Sequence, residues 1–212
     1  MTLQRLPLFP LGMVLFPGTA IPLHLFEPRY RQMLADVQEG DKRFGILCAM
    51  EGVDERDLPA GRIGCVAEVT EAETMPDGRS NIVVVGRERF ALDAFLDDDD
   101  APYHIVSASP VEDVNTTAPV ALVLAADEVA SNFRRVVNAV HTLNDVDDKP
   151  PELPEDPMQL PWTIGAMIDI DLELRQRLLS ETSPAARLTT IDGVLRKAIP
   201  DLELRAAMHK RP

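Results

Sequence analysis

The rhythm of hydrophobic and polar positions changes once along this chain, near Val114. Ahead of that point it is the rhythm of short strands. Ile63, Cys65, Ala67 and Val69 alternate with their neighbours as a half-buried strand does. Arg43 to Met50 is a short apolar run. Met75-Pro76-Asp77-Gly78 predicts a turn, because proline presets φ and glycine accepts the positive φ that follows. Asn81 to Val85 returns as the second arm of a hairpin. Gly86 predicts a bulge, and further strands cover Arg89 to Leu96 and Tyr103 to Ala108. Strands this short and this closely spaced predict a curved sheet or small barrel. One helix interrupts them: Tyr30, Met33, Leu34 and Val37 share a face, with Pro28 near its start and Gly40 past its end.

Beyond Val114 the period is helical. Thr116 or Thr117 is placed to cap a helix that Pro119 opens. Leu122, Ala126, Val129, Phe133, Val136 and Val140 make its long apolar stripe. Asp145 to Pro157 is acidic and proline-rich, and is expected to be a loop. Leu160 to Ile168 is nearly all apolar and predicts a buried helix. Asp171 can cap Leu172 to Ser180. Ser183 can cap a last helix opened by Pro184, with Leu188, Ile191, Leu195 and Ile199 on one face, and Pro200 is expected to end or kink it. Phe133 and Trp162 are expected in the core. The fold class is therefore α+β, with a β-rich part over residues 1–113 and a helical part over 114–212.

The segment from Leu6 to Leu34 is apolar yet carries Pro7, Pro10, Pro17, Pro22 and Pro28. No continuous helix can run through it. Met13 to Phe16 and Ile21 to Leu25 remain as short extended pieces. The strings LPLFPLGMVLFPG (6–18) and PLHLFEPRYRQML (22–34) closely resemble the opening of the Lon protease N-terminal domain. IGCVAEV (63–69), DGRSNIVVVGRERF (77–90) and, more loosely, the leucine-rich helices from Trp162 to Leu195 extend the resemblance over most of the chain. It implies a PUA-like β pseudobarrel with one helix, followed by a helical bundle. It also implies a stand-alone member of that family, a module that recognises polypeptide substrate and does no chemistry.

Composition narrows the alternatives. The net charge is −14, and residues 1–116 alone carry 10 basic against 20 acidic side chains. Such a field repels phosphate backbones, which weighs against a nucleic-acid partner. Aromatic residues make up 5% of the chain, too few for a platform that stacks bases. Cys48 and Cys65 are expected to be small buried hydrophobes in a reducing cytoplasm. Arg5 ahead of an apolar stretch has a superficial likeness to a secretory leader, but the prolines break the helix such a leader needs. The longest apolar run, Ala118 to Ala126, is too short to span a bilayer.

Sequence motifs for catalysis are missing. No segment fits the phosphate-cradling G-x-x-x-x-G-K-[ST], and no G-x-S-x-G elbow occurs. His24, His104, His141 and His209 are scattered, without zinc-site spacing, so no metal and no cofactor is expected. His24 is expected to be a hydrogen-bonded core histidine. Asp97 to Asp100 reads as a solvated turn rather than a cation site.

The expected function is non-enzymatic polypeptide binding, with Leu15, Phe16, Leu25, Phe26, Glu27 and Arg29 as candidate contacts. The same apolar side chains serve equally as a seam between sheet and helices. Two alternatives stay open: an enzyme whose pocket between the two parts uses Glu27, His24 or Arg29, and RNA binding through the PUA-like fold.

Overall fold

Proline does not keep the first segment out of the sheet. Strand β1, Leu3–Leu11, sets Pro7 opposite Ile105 and Pro10 opposite Leu47. Extended backbone tolerates proline, at the loss of one N–H. The two prolines are three residues apart, so their nitrogens face opposite neighbours and neither ladder loses two donors. The expected strand at Met13 to Phe16 is instead an irregular segment whose Val14, Leu15 and Phe16 are buried.

The computed structural model describes residues 3–49, 52, 54–97 and 101–209. Met50 and Asp98 to Asp100, included in the expected strand and turn, lie outside the described residues. The chain divides into two compact units: Met1–Glu112 with Ile170–Ser180, and Asp113–Asp169 with Glu181–Pro212.

In the first unit, β1 is followed by β2 (Ala20–Leu25), α1 (Pro28–Glu39), β3 (Arg43–Cys48), β4 (Ile63–Thr74), β5 (Ser80–Leu96) and β6 (His104–Val111). The sheet runs β2-β5-β4-β3-β1-β6, and β5 also pairs with β6. Five strands therefore close a ring, and β2 hangs on its outside, paired with β5. Among the described residues, only β1 and β3 are parallel neighbours. The ring closes because β5 is long: it bonds β2 with its first half and β6 with its second. A buried cluster including Leu8, Leu47, Val66, Phe90 and Val106 takes one residue from each ring strand, which puts it inside the ring. The register between β4 and β5 shifts between the pairs Cys65–Arg89 and Ala67–Gly86, next to the glycine that predicts a bulge.

Helix α1 buries Tyr30, Met33, Leu34 and Val37, as its period requires. The Tyr30 ring lies 4.0 Å from that of Phe9 on β1. Gly78 turns the β4–β5 hairpin at φ +80° and donates to the Met75 carbonyl at 2.9 Å. Helix α4 (Leu172–Ser180) belongs to this unit too. Asp171 caps it by accepting from the Leu174 N–H at 2.7 Å. Two polar anchors hold it to the sheet: Arg89 donates to the Leu179 carbonyl at 2.7 Å, and Gln176 to the Ile63 carbonyl at 2.9 Å.

The second unit consists of α2 (Pro119–Leu143), α3 (Leu160–Met167) and α5 (Pro184–His209). Helices α2 and α5 run side by side in the same direction, because their polar contacts step forward together. Arg196 meets Glu128, Arg135 meets Glu203, and His209 meets Asp145 just past α2. The residue before α2 is Ala118, with no side-chain cap, so neither threonine caps it; the Thr117 backbone N–H donates to Asn115 Oδ1. Ser183 does cap α5, accepting from Ala186 at 3.3 Å. Pro200 does not end α5, which continues for nine residues past it to His209. A mid-helix proline on an exposed face removes one hydrogen bond without stopping the helix. Phe133 and Trp162 are buried as expected.

Candidate functional site

The apolar stripe of α2 is longer than the helix surface it is packed against. Leu122, Ala126, Val129 and Phe133 are buried, but Val136 is half-buried and Val140 is 37% exposed. Over these last turns α2 lines a pocket of about 580 Å³ within the helical unit. Leu195, Ala198 and Leu202 of α5 form the facing wall, and Met167 at the end of α3 borders it, 50% exposed. Polar groups are confined to His141 and Asp169. His141 Nδ1, carrying its proton, donates to the Asp148 carbonyl at 3.1 Å, which folds the loop after α2 back onto the helix end. A concave, open, nearly wholly apolar surface of this kind receives apolar side chains.

Polar side chains converge elsewhere, in the β unit. A one-turn 3-10 helix, Glu55–Asp57, carries Glu55 to the start of α1. Arg29 donates both terminal nitrogens to Glu55, at 2.8 and 2.9 Å, and its Nε to Glu27 at 3.0 Å. His104 Nε2 lies 3.0 Å from Glu55 as well. The Arg29 guanidinium also stands 4.5 Å over the Tyr30 ring. Its bond to Glu55 makes Arg29 hold its proton more tightly than an ordinary arginine, although burial opposes this. Burial, with Glu55 close by, pushes the Tyr30 phenol above the usual tyrosine range. The cluster is mutually satisfied and holds no activated nucleophile. Its geometry is that of a tether fixing the segment before β4 to α1 and β6. Among the described residues, no group of three or more His, Cys, Asp or Glu is placed to hold a metal ion. No helix among them is long and apolar enough to cross a membrane.

The six residues named from the sequence part company. Leu15, Phe16 and Leu25 are each 1% exposed, so they belong to the core and present nothing to a ligand. Gly86 makes the seat for the first two: a Cβ there would stand 2.2 Å from the Phe16 carbonyl oxygen. Phe26 is 61% exposed, and Glu27 and Arg29 form the ion pair already described, half-open to solvent. His24 is hydrogen-bonded, to Asn81 at 2.7 Å, but it is exposed rather than a core histidine, because its strand position faces outward on an edge strand. The sequence reading missed the pocket. Its one signal was the stripe continuing through Val136 and Val140, which does not say whether a partner covers it.

The chain is similar to known proteins over most of its length. The family described as the ATP-dependent protease La (LON) substrate-binding domain matches residues 5–197. The Lon protease of Xanthomonas oryzae pv. oryzae is 29% identical over 201 residues, 90% of this chain and 22% of that protein. That of Cytophaga hutchinsonii is 22% identical over 219 residues, 97% of this chain and 26% of its own. The chain thus spans about a quarter of the length of these relatives. The crystal structure of a Lon N-terminal domain protein from Xanthomonas campestris superposes with a TM-score of 0.64 at 23% identity, over 89% of this chain and 97% of that one. The N-terminal domain of Mycobacterium avium complex Lon protease gives 0.65 at 18% identity, over 91% and 98%. At these identities the structural likeness is one of fold, the α+β fold of a closed sheet followed by helices.

Proposed function

The chain belongs to the Lon substrate-binding domain family, and on that premise we propose that it is a non-enzymatic binding module for polypeptide with exposed apolar side chains. The family match falls on the substrate-binding part of Lon, outside its ATPase and protease modules. The observation that carries the reading is the pocket of about 580 Å³ between α2 and α5, apolar, open, and bordered by Val140 and Met167. An unfolded chain offers apolar side chains that a folded one hides, and burying each contributes about 1.5–3 kcal/mol. Of the six candidate contacts, Phe26, Glu27 and Arg29 remain open to a ligand. The net charge of −14 disfavours polyanionic ligands. The two free cysteines, both buried, suit a reducing cytoplasm.

Titration of a labelled model protein, folded and denatured, tests this. Tighter binding of the denatured form, little changed by salt, is the expected result, since screening weakens exposed charge pairs and leaves apolar contact alone. Equal affinity for the two forms would replace this reading with docking of a specific folded partner. Highly purified protein is also expected to hydrolyse neither ATP nor casein.

A further inference from the structure

The outer face of β2, β5 and β4 carries carboxylates without the arginine partners found elsewhere on the sheet. His24, Asn81 and Glu73 stand in one row across the three strands, and Pro22, Val83 and Glu71 in the next. Together they border a hollow of about 480 Å³. Phe26 lies two residues beyond His24, just past the strand end: its exposed ring stacks on His24 with centroids 6.2 Å apart and planes at 23°. Elsewhere on this hairpin, Glu68, Glu88 and Asp77 are paired with arginines. Glu68 meets Arg43 and Arg87 at 3.1 and 2.9 Å, and Glu88 meets Arg43 at 3.1 Å. At the hairpin tip Arg79 is held by Asp77 at 2.7 Å. Glu71 and Glu73 have no ion-pair partner among the described residues.

We propose that this sheet face is a second contact surface of the binding module, selecting extended polypeptide segments that carry Lys or Arg beside apolar side chains. The proposal rests on the polypeptide-binding reading above and adds the chemistry of the preferred segment. Charge complementarity picks the occupant: two uncompensated carboxylates attract a cation and repel an acidic chain. Spacing fits as well. Residues two apart on a strand are about 6.8 Å apart, the same interval at which an extended ligand repeats its side chains on one face. The aliphatic stem of a lysine or arginine can lie over Pro22 and Val83 while its head reaches Glu71 and Glu73. Phe26 offers an exposed ring to a further cation or apolar group. Strand addition to the β2 edge is not required, and Pro22 in that strand removes one backbone donor from it.

The test uses extended peptides matched in length and apolar content, with Lys, Gln or Glu at two alternate positions, titrated by fluorescence anisotropy. The Lys peptide is expected to bind roughly three- to tenfold tighter than the Gln peptide at low salt, with the Glu peptide weakest. The preference shrinks in about 0.5 M salt. The double variant Glu71→Gln, Glu73→Gln abolishes it. Glu152→Gln with Glu155→Gln, which removes the same charge from the loop between α2 and α3, leaves it intact. Equal affinity for Lys and Gln peptides overturns the proposal while the polypeptide-binding reading stands on the Gln peptide. Equal loss in both double variants also overturns it, since overall charge would then suffice. Failure of every peptide to bind removes both.

Discussion

Arg187 donates both terminal nitrogens to the Asp113 carboxylate, at 2.6 and 2.5 Å, from a side chain with no solvent exposure. Its guanidinium also lies 4.2 Å over the Trp162 ring and bonds the Glu181 carbonyl at 2.9 Å. Next to it, Val114 donates to the Thr182 carbonyl at 2.9 Å. The pair thus joins the two points at which the chain enters the helical unit, 113 and 181. Removing one partner of such a pair leaves a buried charge uncompensated.

Asp113→Ala is therefore expected to destabilise the protein by about 3–5 kcal/mol, read as a lowered urea midpoint and Tm. Replacing both partners, Asp113→Leu with Arg187→Met, should restore much of that loss, because no charge is left stranded. A single-variant loss below about 1 kcal/mol would mean that water reaches Arg187.

Gly86 sits where the sheet receives the proline-rich loop. Its N–H donates to the Thr19 carbonyl at 2.9 Å, and its carbonyl accepts from Gly18 at 2.8 Å. Because the atom that an added Cβ would meet is backbone, Gly86→Ala cannot be absorbed by a rotamer change. A loss of about 1–3 kcal/mol in denaturant unfolding is expected. Unchanged stability would show that the loop lifts freely from the sheet.

Cys65 sets an alkaline limit to stability. Burial pushes its thiol up to about 12. An unfolded cysteine titrates near about 8.5. The native state thus binds the extra proton, and the sign is clear: this stabilisation is fully present below the unfolded value and is lost as pH rises toward 12. The slope it contributes is at most about 1.4 kcal/mol per pH unit. Tyr30, also pushed upward by burial, adds to the loss only above about pH 10, where unfolded tyrosine titrates. Urea unfolding at pH 8, 9 and 10 should show the Cys65→Ala variant losing less stability than the parent. Parallel pH curves would show that the thiol is not desolvated.

Periodicity made legible whatever depends on a face turned toward a core. The buried sides of α1 and α5, Tyr30 to Val37 and Leu188 to Ile199, follow from spacing alone. Local chemistry was equally readable: Asp171 and Ser183 cap their helices, and Gly78 turns the hairpin. Contacts between distant residues were not. Arg29 and Glu55 are 26 positions apart, and nothing in either neighbourhood announces the other. The prolines of β1 hid a strand because their cost depends on which neighbour each nitrogen faces, a property of the sheet. Leu15, Phe16 and Phe26 look alike as apolar loop residues, yet Gly86 seats the first two in the core and leaves Phe26 outside. The pocket was hidden for a similar reason: Val140 continues a core stripe, and only the placement of α3 and α5 leaves it uncovered.

The pocket claim is tested most directly by Met167→Glu. Met167 is half-exposed at the end of α3, so the fold should tolerate the change with little shift in Tm. A carboxylate there would have to be desolvated beside each apolar side chain that enters. Affinity for a denatured model protein, measured by fluorescence anisotropy, is expected to fall about tenfold, a difference of about 1.4 kcal/mol. Unaltered affinity in a variant that melts like the parent would contradict the account and move polypeptide recognition away from the α2–α5 pocket.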